Sequence, residues 1–151
     1  MLGVVALSGV AQPTLPVHAM DEITAPPRLV LFSCPAKPPQ LCDIMAAALT
    51  DATQGKAHIR RVSRGDEVPT RPGDLGLALR LETVSKTSLC GHLEWQTSAH
   101  AKPQIGPVSG VSAADTSLST EAISKFVAVL LTSQNDIRSI LAPAAPTDAK
   151  D

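Results

Sequence analysis

With 151 residues, 44% hydrophobic and 18% charged, the chain has enough apolar material for one folded domain, and disorder is not its default. A formal net charge of −1 argues against a generic binder of nucleic acid or anionic membrane, which needs a basic surface. Two Phe, one Trp and no Tyr leave almost no aromatic platform on which bases could stack, so the core must be built from Leu, Val, Ile and Ala.

Residues 1–19 (MLGVVALSGVAQPTLPVHA) carry no charged side chain. An apolar run from Leu2 leads through Pro13 and Pro16 to Val17-His18-Ala19, the layout of a secretory signal peptide cut before Met20. The run is shorter than the ~20 apolar residues a bilayer span requires. The expected address is therefore the periplasm or the exterior, with no membrane insertion. No Lys or Arg precedes the apolar run, so the alternative is that residues 3–7 form a buried strand of a cytosolic protein. A single domain is expected over residues 20–141, and the Ala/Pro-rich residues 142–151 are expected to be disordered.

Residues 20–27 are polar and Pro-rich, a loosely held arm. Residues 28–34 (RLVLFSC) are apolar on both parities, which suits a central strand buried on both faces. Pro35, Pro38 and Pro39 stop it. Residues 40–53 predict a helix whose stripe is Leu41, Ile44, Met45, Ala48, Leu49 and Ala52, with Pro39 in its first turn and Gly55 at its end. Residues 57–64 predict a short strand in which Ile59 and Val62 fall on opposite parities, as at a bulge or a sheet edge. Residues 64–74 (RGDEVPTRPGD) form a charged loop.

The clearest pattern follows. Leu75, Leu77, Leu79 and Leu81 alternate with Gly76, Ala78, Arg80 and Glu82. After Ser85-Lys86-Thr87, Leu89, Leu93 and Trp95 alternate with Cys90, His92, Glu94 and Gln96. With that tripeptide as the turn, Leu79 faces Leu93, Leu77 faces Trp95 and Arg80 faces His92, so one register gathers every large apolar side chain on one side. Residues 98–107 read as loop and 108–113 as a Gly-weakened strand. Residues 119–141 predict the second long helix, capped by Ser119 and stapled by Leu118 and Ile123, with a bend at Ser133-Gln134-Asn135-Asp136. The expected fold is α+β, a two-layer sandwich in the order β-α-β-β-β-(β)-α. A mixed sheet of four to five strands would carry two helices on one face.

Three cysteines in an exported chain permit one disulfide. Cys34 and Cys42 are local and joined by a Pro-stiffened loop, so they are the expected pair, with Cys90 left free. A strand, then Cys-Pro, then a helix start is also where thioredoxin-like proteins keep their active cysteine. A helix N-terminus lowers a thiol pKa, but the CxxC spacing and that family's intervening helix are missing here. Cys90 and His92 share a strand face with Glu82 and Glu94 nearby, a candidate small-ligand or metal grip without the second Cys/His pair a metal site needs. No metal or cofactor is expected.

The hairpin's outward row (Arg80, Glu82, His92, Glu94) mixes signs on a rigid sheet and is a candidate partner surface. His58, Arg60, Arg61 and Arg64 form a basic cluster. It reads either as a charged guard on an edge strand or as a patch for an anion or acidic partner, diluted by Asp66 and Glu67. No G-x-S-x-G, H-E-x-x-H, S-x-x-K or P-loop is present. The element order is similar to that of small envelope accessory domains. The expected function is a non-catalytic accessory that binds another envelope or secreted protein. A thiol-redox protein using Cys34 is the alternative, and a ligand or metal carrier at Cys90 and His92 a third.

Overall fold

A computed structural model describes residues 3, 27–133 and 135–143. The expected leader (apart from Gly3) and most of the expected tail lie outside the described residues. The elements are β1 (Arg28–Ser33), α1 (Leu41–Ala52), β2 (Ala57–Arg61), β3 (Leu75–Val84), β4 (Ser88–Gln96), β5 (Gln104–Ile105), β6 (Ser109–Ser112), α2 (Thr120–Thr132) and α3 (Asn135–Leu141). One mixed sheet runs in the order β2-β1-β3-β4-β5, with β6 pairing β4 alongside β5. β1 lies parallel to both β2 and β3, and β4 is antiparallel to β3, β5 and β6. The α+β class and the single sheet are as expected. The additions are β5, two residues long inside the expected loop, and a third helix.

β1 is internal to the sheet, and its last four residues are buried. Val30 and Phe32 point into the main core. Leu31 and Ser33 are buried on the opposite face. α1 delivers Leu41, Met45 and Leu49 to the same core as Val30 and Phe32. It starts one residue later than expected, leaving Pro39 outside the helix, and it ends before Gln54 and Gly55, whose φ values are 54° and 70°. The second long helix breaks where expected. Ser119 Oγ accepts the Ala122 N–H at 3.1 Å and starts α2. α2 buries Ile123, Phe126, Val127, Leu130 and Leu131, and α3 adds Ile137 and Leu141. Each such side chain, taken fully out of water, contributes ~1.5–3 kcal/mol.

The hairpin register matches the alternation: Leu77 faces Trp95, Leu79 faces Leu93 and Arg80 faces His92. A bulge between Leu81 and Thr83 then shifts the pairing, so Thr83 faces Cys90 and Val84 faces Leu89. The shift shortens the turn to Lys86-Thr87, closed by the Ser85 N–H on the Ser88 carbonyl at 2.9 Å. β2 occupies the sheet edge, which accounts for its broken alternation.

The second face of the sheet is not bare. The strand expected over residues 57–64 ends at Arg61, and the segment from Val62 to Asp74, which includes the expected charged loop of residues 64–74, crosses this face on the way from β2 to β3. Gly76 lets it pass close: a Cβ there would collide with the Glu67 carbonyl and touch the Pro69 ring. Pro69 is buried against the sheet. The helices therefore cover one face and this strap covers part of the other, including the region of Leu31, which pairs with Gly76.

Candidate functional site

The two surfaces singled out in the sequence differ in how their charges are spent. On the hairpin, Arg80 donates to Glu67 at 3.2 Å and to Glu94 at 3.4 Å. His92 Nε2 lies 3.2 Å from Glu94, and its Nδ1, without a hydrogen bond among the described residues, lies 3.7 Å from Glu82. Burial opposes the Glu94 carboxylate. The His92 hydrogen bond and the Arg80 guanidinium outweigh it and hold Glu94 below the ordinary carboxylate range. Gln96 donates to the Ala101 carbonyl at 2.9 Å. The row is thus brought together as expected, but its charges face one another and Glu67 of the strap is added. Only Glu82, 53% exposed, stands clear of the surface. Cys90 is a free, half-buried thiol on the same face. Among the described residues no three His, Cys, Asp or Glu side chains converge as a metal set.

The basic cluster has a different setting. The chain leaves β1 toward the helix-covered face to make α1, and leaves β2 toward the strapped face. Connections that depart from neighbouring parallel strands to opposite sides leave a crevice beyond the strands' carboxyl ends. A crevice of about 540 Å³ opens there, lined by Cys34, Arg60, Arg61, Val62, Ser63, Arg64 and Asp66. Arg60 and Arg61 come from the end of β2 and Arg64 from the turn after it, where the Asp66 N–H bonds the Ser63 carbonyl at 2.9 Å. Among the described residues none of these three arginines makes an ion pair, and Glu67 is engaged by Arg80 and by the Gly65 N–H at 2.9 Å. Asp66 is the one acid in the lining.

Cys34 and Cys42 form a disulfide with their Cα atoms 5.9 Å apart. Cys34 is half-buried and borders the crevice, whereas Cys42, in the first turn of α1, is 3% exposed. The bridge closes the loop between β1 and α1 and so fixes one wall of the crevice.

Behind the crevice, at the other end of β1, sits the buried carboxylate of Asp74. It accepts from Arg71 at 2.8 and 3.2 Å and from the Leu29 N–H at 3.0 Å. Burial opposes its charge, but these bonds together with Arg28 prevail and its pKa is lowered. Arg28 donates to the Gly73 carbonyl at 2.7 Å and to the Ile140 carbonyl in the last turn of α3. Asp74 therefore pins the strap's end to the start of β1, a holding role that the sequence does not reveal. Arg64 and Glu67 were visible as charges, but not their separation into a free base and a neutralised acid. Comparison with protein-family models, with curated proteins and with solved structures finds no match to this chain.

Proposed function

We propose that the chain is an exported, non-catalytic binding module that receives an acidic segment of another envelope or secreted protein in the crevice between β1 and β2. One observation carries the reading: Arg60, Arg61 and Arg64 surround an open cavity with no ion-pair partner among the described residues. A guanidinium free of internal partners offers its donor fork to a carboxylate, and the pair can form bidentately. The hairpin row offers much less, since Arg80 and Glu94 already satisfy each other. Export is supported by the leader pattern of residues 1–19 and by the disulfide, a bond that persists in oxidising compartments. Among the described residues no helix is long and apolar enough to cross a membrane.

The test is binding of a fluorescent Glu-rich peptide by the full chain at low and at physiological salt. Affinity should fall with salt, and Arg60→Glu/Arg64→Glu should lose about tenfold or more, or ~1.4 kcal/mol. Reversal of the hairpin pair, Arg80→Glu/Glu94→Arg, should leave binding near wild type. Loss on the hairpin reversal with retention on the crevice reversal would move the site to the sheet face.

A further inference from the structure

The crevice holds a reactive bond as well as charge. Of the two bridged sulfurs, the one on Cys34 belongs to a half-buried residue that lines the cavity beside Arg60, Arg61 and Arg64, while Cys42 is packed away at the start of α1. We propose that the Cys34–Cys42 disulfide exchanges with a thiol carried on an acidic peptide segment, attacked at Cys34 from within the crevice. The proposal rests on the reading of the crevice as an acidic-segment site and adds chemistry to it.

A free cysteine next to acidic residues is a poor match for most disulfides, because its own carboxylates disfavour the thiolate. Arginines around the target sulfur reverse that disadvantage by stabilising the incoming anion. The steps balance. The partner's thiolate forms a bond to Cys34 Sγ, the Cys34–Cys42 bond breaks, and its electron pair leaves on Cys42 Sγ. Cys42 then takes a proton from water, and the Pro35 carbonyl oxygen, 3.2 Å from its sulfur, stands ready to accept the new S–H. A second partner thiol releases the mixed disulfide. In sum two thiols become one disulfide, and the protein's bridge becomes two thiols. Arg60, Arg61 and Arg64 act as positioning residues; Cys34 is the group that reacts.

The experiment uses two synthetic peptides with one cysteine each, flanked by Glu in one and by Lys in the other. Their rates of exchange with the full chain are divided by their rates with a small, uncharged model disulfide. The corrected rate should favour the Glu peptide by about tenfold, a modest instance of electrostatic steering. The preference should vanish in Arg60→Ser/Arg64→Ser with melting unchanged, and mass mapping after acid quench should find the peptide on Cys34. No exchange, no corrected preference, or a peptide attached to Cys42 overturns the proposal. The same Glu peptide with Ser in place of Cys separates the two readings: if it binds with arginine dependence while its Cys form does not exchange, the exchange fails and the binding site stands. If it does not bind either, both fail.

Discussion

The Glu67 carbonyl rests on the Cα of Gly76, in space that any side chain at that position would fill. The contact presses the strap of residues 62–74 onto the sheet and brings the Glu67 side chain to Arg80. Gly76→Ala should therefore cost about 2 kcal/mol or more through overpacking, since backbone blocks the new methyl and cannot swing away. Urea unfolding measures it. A cost near zero would mean that the strap lifts easily, and Arg80 should then become more exposed.

Leu79 and Arg80 are neighbours with opposite duties. Leu79→Asp would place an unpaired charge in the core and should cost about 4 kcal/mol or more. Arg80→Ala should cost about 1 kcal/mol, because its ion pairs to Glu67 and Glu94 are partly solvated. Thermal melts of the two variants should differ widely. Equal losses would contradict the hairpin register.

Asp74 predicts an acid limb in the stability profile. Its pKa is lowered on folding, so its contribution is complete above the unfolded value of about 3.9 and is lost as pH falls through the lower folded value. Asp74→Asn should cost ~1.5–3 kcal/mol at neutral pH, and the gap between wild type and variant should narrow below about pH 4. Denaturant midpoints at neutral pH and at pH 3 test this. A gap that is constant across that range would assign the loss to packing instead of charge.

The thiols give a count. Without reductant, unfolded protein should react with a maleimide at Cys90 alone, and reduction should bring in Cys34 and Cys42. In the folded state Cys90 should react slowly, being half-buried on the strapped face. Peptide mapping that links Cys90 to either of the other two would refute the pairing.

What the sequence shows well is what period and composition encode. The alternation of Leu77 and Leu79 with Arg80 gives the hairpin register, and the stripe through Ile123 and Phe126 gives α2, because each pattern is local to its element. The bulge after Leu81 leaves one faint local mark, Gly91 opposite it, where a Cβ would meet the Arg80 carbonyl; a lone strand glycine signals a bulge or a close backbone approach without saying which. β5 is too short to show any period. The crevice is invisible for a different reason. It depends on β1 lying between β2 and β3 and on the chain crossing to opposite faces, facts about strand order that no residue type records. Arg60 and Arg61 are binding candidates by charge alone, and by the same charge they fit a guard on an edge strand. The absence of any ion pair to them among the described residues is a fact of three-dimensional placement that charge along the chain does not record.

Arg28 joins the first strand to the last helix through the Ile140 carbonyl, so the start of β1 and the end of α3 meet at one corner. That corner is at the amino end of β1, roughly 20 Å from its carboxyl end for a six-residue strand. The molecule thus has a handle and a mouth at opposite poles. A short linker joining residue 27 directly to residue 143 should therefore allow circular permutation away from the crevice, with new ends opened in the Lys86-Thr87 turn.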